Sequence, residues 1–136
     1  MTKFVLDASV AAAWTLPDEA SPEAAALLDK AADGVLAPFH YPSEIANVVL
    51  MAQRRGRVLE SELPGIRRTL ERVPVEIDSD SVRSLWSEVY PLAQTHNLSL
   101  YDALYLELAL RRGAPLASFD KRLRDAAIRA GVELII

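Results

Sequence analysis

Short apolar runs alternate along the chain with longer stretches of helical periodicity, a pattern typical of a parallel sheet flanked by helices. The apolar runs predict strands at residues 3–6, 34–37, 73–77, 115–119 and 132–136. The periodic stretches predict helices at residues 9–14, 22–32, 42–55, 60–72, 79–97, 99–112 and 121–130. We therefore expect residues 1–136 to form a single α/β domain, a three-layer α/β/α sandwich around a central parallel sheet.

The composition limits the chemistry and the location that this chain supports. It contains no cysteine, which excludes disulfides, thiolate metal sites and cysteine nucleophiles and suits a reducing cytoplasm. No apolar stretch approaches the roughly 20 residues that cross a bilayer, and Asp7 interrupts the N-terminal segment that faintly resembles a signal peptide. We expect a cytoplasmic protein without membrane contact, and any metal ligands must be oxygen or imidazole.

The formal net charge of −4, from 19 acids and 15 bases, argues against nucleic-acid binding through bulk charge alone. The bases nevertheless form four clusters, which are Arg54, Arg55 and Arg57; Arg67, Arg68 and Arg72; Arg111 and Arg112; and Lys121, Arg122 and Arg124. For any single cluster, a solvated helix face is the better interpretation. Two divalent cations bound to carboxylates would cancel the net charge, so the composition does not exclude a polyanionic substrate.

Four acidic residues interrupt or close apolar runs, where a charge is costly unless it is paired or binds a metal. They are Asp7, Glu44, Asp102 and Asp120. For each acid alone, capping of a helix N-terminus is the better explanation. Together they favour a ligand site, because the strand-to-helix turns of a parallel sheet gather at one edge. Carboxylates that share a crevice suit Mg²⁺ or Mn²⁺, and these ions catalyse phosphodiester hydrolysis.

Four short motifs around these acids resemble, in order and spacing, those of PIN-domain ribonucleases, and most closely the VapC-type toxins of toxin-antitoxin (VapBC) pairs. The motifs are VLDAS at residues 5–9, PSEIAN at 42–47, LSLYDA at 98–103 and LASFDKRL at 116–123. The resemblance implies a PIN-like fold and an endoribonuclease that uses Mg²⁺ or Mn²⁺ to cut structured RNA, with transfer RNA as the expected substrate. It also implies a homodimer and a small VapB-type antitoxin that blocks the crevice.

The same resemblance assigns roles to individual residues. The implied metal ligands are Asp7, Glu44, Asp102 and Asp120, and the implied hydroxyl near the metal comes from Ser9 or Ser118. Dimer and antitoxin surfaces are expected on apolar helix faces in the first half of the chain, including Val48, Leu50 and Met51.

Several other polar and aromatic residues have two interpretations. Asn47, one helical turn after Glu44, either joins the site or makes a structural hydrogen bond. Tyr101 and Tyr105 are candidates for stacking on RNA bases, while core packing is the better interpretation of most other aromatic residues. His40 and His96 are interpreted as structural or surface residues, because neither lies in a recognisable nucleophile motif.

Other functions fit the sequence less well. Haloacid-dehalogenase phosphatases and response-regulator receivers also carry an aspartate at the end of the first strand, but the segment Asp7-Ala8-Ser9 lacks the Asp-x-Asp pattern of the former and the acidic pair of the latter. A non-catalytic PIN-like module that binds protein or RNA is the alternative function, although all four acids are present.

Overall fold

A parallel sheet lies at the centre of the computed structural model, which describes residues 3–135. Within these residues the sheet has four strands in the order β3-β2-β1-β4. The strands are β1 (Val5–Leu6), β2 (Val35–Pro38), β3 (Val75–Asp78) and β4 (Leu116–Ala117). Each neighbouring pair is parallel.

Helices connect the strands and cover the sheet. They are α1 (Ala8–Thr15), α2 (Pro22–Lys30), α3 (Tyr41–Arg54), α4 (Leu63–Glu71), α5 (Tyr90–His96), α6 (Leu100–Arg112) and α7 (Lys121–Ala130). Helix α6 packs against β1, β2 and β4, whereas α1 packs against α2, α3 and α4. The predicted α/β fold with a central parallel sheet is therefore confirmed. None of the helices within residues 3–135 is both long and apolar enough to span a membrane.

Every residue of β1, β2 and β4 is buried. Strands that are covered on both faces need apolar side chains in every position, which is why their sequences are continuous apolar runs. The edge strand β3 differs, since Glu76 and Ile77 are exposed. A polar side chain at the end of a buried strand therefore needs a specific explanation.

The order of the strands in the sheet reverses between β1 and β4. From β1 the chain passes through α1 and α2 to β2, which pairs with one side of β1, whereas β4 pairs with the other side. In open parallel sheets, ligands bind outside the carboxyl ends of the strands at such a switch point. Asp7 directly follows β1, and Ser118 directly follows β4.

The structure differs from the predicted elements in two places. The predicted helix at residues 79–97 begins with a 3₁₀ segment (Asp80–Ser84) and a π-helical turn (Leu85–Val89) before α5. Pro91 explains the irregular start, because it has no backbone N–H to bond to the preceding turn. The predicted strand at 132–136 is reduced to one bridge, between Leu116 and Leu134, and residue 136 lies outside the described residues.

Several of the clustered arginines form ion pairs with acidic side chains of the same chain. Arg111 joins β3 to α6 by binding Asp78 Oδ2 at 2.7 Å and Glu107 Oε2 at 2.9 Å. Arg57 makes two hydrogen bonds of 2.8 Å to Asp18. For Arg57 and Arg111, the contacts support a structural interpretation.

Candidate active site

Asp7 lies at the switch point with only 4% of its surface exposed. It occupies the N-cap position of α1 but makes no capping hydrogen bond with its side chain. Instead its Oδ2 accepts hydrogen bonds from Ser9 Oγ at 2.6 Å and from Ser118 Oγ at 2.7 Å. Capping therefore does not explain why this carboxylate is buried.

The two serine hydroxyls are themselves held by backbone amides. The amide of Phe119 donates to Ser9 Oγ, and the amide of Asp120 donates to Ser118 Oγ, both at 3.0 Å. Arg124 Nη1 in turn donates to the Ser118 carbonyl at 3.0 Å. The turn after β4 thus fixes both donors, and they fix one oxygen of Asp7.

Burial raises the pKa of Asp7 to about 6 from its ordinary value of 3.8. The hydrogen bonds from Ser9 and Ser118 act against this shift, whereas the negative charges of Glu44 and Asp102 add to it. A carboxylate in such surroundings is stabilised by any cation that enters. The shift therefore identifies Asp7 as a functional candidate.

Glu44, in the first turn of α3, binds side chains from outside its own helix. Tyr105 OH donates to its Oε1 at 2.6 Å, and His40 Nε2 lies 3.4 Å from the same oxygen. Burial alone would raise the pKa of Glu44, but these contacts outweigh burial and hold the pKa below its ordinary value. Glu44 is thus kept as a carboxylate.

Asp102 and Asp120 come from the N-terminal ends of α6 and α7. Asp120 caps α7, since its Oδ1 accepts a hydrogen bond from the Leu123 amide at 3.0 Å. Burial raises the pKa of Asp102, and the charges of Asp120 and Glu44 raise it further. Because Asp102 also influences Asp7, the four acids form one electrostatically coupled group.

A crevice of about 380 Å³ opens between α3 and α6 at two of the four acids, Glu44 and Asp102, whereas Asp120 and Ser9 line a separate cavity of about 410 Å³. The crevice is lined by His40, Ser43, Glu44, Asn47, Ser99, Tyr101 and Asp102. Asn47 is exposed there, as expected if it belongs to the site, and none of the hydrogen bonds found within residues 3–135 involves its side chain. Tyr101 is also exposed and remains available for stacking on a base.

The donor set fits a hard divalent cation that keeps part of its water shell. Across residues 3–135, no three Asp, Glu or His side chains are close enough to enclose one ion by themselves. A hard divalent ion such as Mg²⁺ usually retains several waters and uses only one or two carboxylates together with substrate phosphates. The carboxylate oxygens of Asp7, Glu44, Asp102 and Asp120 are of the type that Mg²⁺ and Mn²⁺ prefer.

Of the aromatic residues at the site, Tyr105 differs from its predicted role, whereas His40 packs as a structural residue. Tyr105 cannot stack on a base, because its side chain is fully buried. His40 lines the crevice and packs against Tyr105, with 5.0 Å between the ring centroids. No local motif indicated the contact between Tyr105 and Glu44, because the two residues lie 61 positions apart in the sequence.

Comparison with known proteins shows the family and agrees with the fold. Residues 4–129 match the family described as PIN domain. Ribonuclease VapC3 of Pyrobaculum aerophilum is 30% identical over 124 residues, which cover 90% of this chain and 93% of that protein.

Two crystal structures share the fold. PAE2754 from Pyrobaculum aerophilum has a TM-score of 0.69 at 20% identity, covering 92% of this chain and 79% of that chain. FitAcB from Neisseria gonorrhoeae has a TM-score of 0.64 at 17% identity, covering 98% and 96%. The chain therefore belongs to the PIN-domain family and is a relative of the VapC-type ribonucleases.

Proposed function

We propose that this protein is an endoribonuclease that requires Mg²⁺ or Mn²⁺ and hydrolyses phosphodiester bonds in structured RNA. The observation that carries the proposal is the buried Asp7 carboxylate, coupled to Glu44 and Asp102 at the switch point of a parallel sheet. The relationship to a protein named ribonuclease VapC3 supports the same activity.

The chain's own side chains prepare the site for this chemistry. Ser9 and Ser118 hold Oδ2 of Asp7, and within residues 3–135 no donor binds its Oδ1. This free oxygen would contact the cation, and Glu44, Asp102 and Asp120 would act on it directly or through the waters that such an ion retains. When bound, a divalent cation supplies an activated water nucleophile and stabilises the charge on the phosphoryl oxygens.

Transfer RNA is the substrate that we propose on the family resemblance. The exposed ring of Tyr101 lies at the crevice and offers a face on which an unpaired base can stack. Lys121 and Arg122 follow Asp120 directly and are exposed, which suits them to contact phosphates.

The activity is tested by incubating an end-labelled pool of small RNAs with purified protein in Mg²⁺, in Mn²⁺ and in EDTA. We expect discrete cleavage products with either metal and none with EDTA, because the acids would hold the cation on which hydrolysis depends. A folded protein, free of any inhibitor, that cleaves no RNA with either metal would contradict the nuclease and favour a non-catalytic binding module. Equal cleavage in EDTA would contradict the metal dependence.

We also propose that the protein is a cytoplasmic toxin that forms a homodimer and binds a VapB-type antitoxin. Among the α3 residues predicted to carry these contacts, Leu50 is 42% exposed, while Val48 and Met51 are half-buried. A second apolar patch competes with it, since Trp86 is 79% exposed and stacks on Tyr90 at 5.1 Å. Exposed apolar patches of this kind mark interaction surfaces.

Leu50→Arg is expected to dissociate the homodimer, because an arginine buried between two subunits would lack a partner. Size-exclusion chromatography with light scattering measures the mass of the wild type and the variant. Trp86→Lys is the matched variant at the competing patch. If Trp86→Lys alone yields a monomer, the dimer surface lies there and the assignment to α3 is wrong.

A further inference from the structure

Asp7 and Glu44 share a pattern of hydrogen bonding. Each presents one carboxylate oxygen to protein hydroxyl groups, which come from Ser9 and Ser118 for Asp7 and from Tyr105 for Glu44. In both acids, no donor within residues 3–135 binds the second oxygen. One oxygen thus fixes the orientation of the carboxylate, and the other stays available to a ligand.

The partner of Glu44 is unusual because it comes from the core. Tyr105 lies on α6 with 0% of its surface exposed, whereas the Glu44 side chain is 34% exposed. A buried phenol must satisfy its hydroxyl, and within residues 3–135 its hydrogen bond goes to Glu44. This bond of 2.6 Å is in the range of charge-assisted hydrogen bonds.

His40 restricts the same oxygen from a second direction. Its side chain is 12% exposed, and its ring meets that of Tyr105 edge-on at 65°. Nε2 lies 3.4 Å from Glu44 Oε1. Neither ring nitrogen of His40 makes a hydrogen bond of good geometry within residues 3–135. The imidazole therefore crowds Oε1, and Oε2 is the oxygen of Glu44 to which no side chain within residues 3–135 donates a hydrogen bond.

We infer that Tyr105, assisted by His40, is a positioning residue that holds Glu44 with its Oε2 toward the crevice, ready to bind the cation. This inference rests on the proposed metal site. A carboxylate that is oriented by a second hydrogen bond binds a metal without first losing rotational freedom, and loss of such a partner typically weakens metal affinity by about 10-fold to 100-fold.

The test is Mn²⁺ binding to Tyr105→Phe, followed by the electron paramagnetic resonance signal of free Mn²⁺. We expect the dissociation constant to rise by about 10-fold to 100-fold. In cleavage assays the Mn²⁺ concentration for half-maximal rate should rise by the same factor, while the rate at saturating Mn²⁺ is largely kept. Tyr90→Phe is the matched control, since no hydrogen bond of the Tyr90 hydroxyl is found within residues 3–135.

A double-mutant cycle separates positioning from a purely structural role. In the Glu44→Gln background, Tyr105→Phe should cause no further loss of Mn²⁺ affinity, because its effect passes through the carboxylate. An undiminished second loss, or unchanged affinity in the folded single variant, would overturn the inference. If Tyr105→Phe does not fold, His40→Ala removes the ring that packs on Tyr105 and crowds Oε1, and unchanged Mn²⁺ affinity in that variant would overturn the inference.

The outcomes also distinguish this inference from the proposed function. A wild-type protein that binds no Mn²⁺ contradicts the metal site itself. A wild type that binds Mn²⁺ and cleaves RNA, beside a Tyr105→Phe variant of equal affinity, contradicts only the role of Tyr105.

Discussion

Asp7→Asn is expected to reduce RNA cleavage by at least about 100-fold, the upper end of what the loss of a mere supporting residue costs. Asn is nearly isosteric, and its Oδ1 can still accept the hydrogen bonds that Ser9 and Ser118 donate to Asp7. The substitution therefore removes the negative charge and leaves the packing in place. Initial rates of cleavage of a defined RNA, measured across a range of Mg²⁺ concentrations, give the size of the loss.

Asp78→Asn is the matched control, because Asp78 is also a buried aspartate, with 7% of its surface exposed. Its carboxylate binds Arg111 and the Ser81 amide, and its contacts do not involve the four coupled acids. Folded Asp78→Asn should cleave RNA at the wild-type rate. Undiminished cleavage by Asp7→Asn, or an equal loss in both variants, would contradict the assignment of Asp7.

Those parts of the acidic site that depend on neighbouring residues in the sequence were predictable. A charged residue directly after a fully apolar strand is costly unless it is paired or binds a metal, so Asp7 could be predicted as a site residue. Asp120 was ambiguous in the sequence, and the structure retains both interpretations, since it caps α7 and contributes its charge to the group. Asp102 and Glu44 lie in first turns of helices, where position alone suggests capping, yet neither carboxylate makes a capping bond within residues 3–135.

The supporting contacts were not predictable, because they join distant parts of the chain. Tyr105 fits the apolar periodicity of α6 and is indeed a core residue, but only the fold brings its hydroxyl to Glu44. The same holds for Ser118, whose hydroxyl reaches Asp7 across 111 residues. Such pairings depend on strand order and helix placement, and an apolar-polar pattern does not encode them.

Metal-free Asp7→Asn is expected to gain stability relative to the wild type as the pH rises, by roughly 3 kcal/mol in the free energy of unfolding. The pKa of Asp7 is raised from 3.8 to about 6 in the folded protein, so ionisation of this buried group opposes folding. Below about pH 4 the group is protonated in both states and the charge has no effect. Between about pH 4 and 6 the wild type loses stability, and above about pH 6 the loss is complete.

The measurement is urea unfolding of both proteins in EDTA from pH 4 to pH 8, and the difference between their unfolding free energies is the quantity to plot. If this difference is the same at every pH, it reflects the replacement of the carboxyl group by the Asn amide. If it increases between pH 4 and 6, it reflects the charge of Asp7. Asp78→Asn should show no such increase. Burial acts to raise the pKa of Asp78, but the hydrogen bond and charge of Arg111 outweigh it and hold that pKa below its ordinary value, so the stability that ionised Asp78 contributes is lost only as the pH falls below about 4. A difference between Asp7→Asn and the wild type that does not change with pH would contradict the buried-charge explanation. If the charge exists to bind a cation, added Mg²⁺ should then restore stability to the wild type and leave Asp7→Asn unchanged.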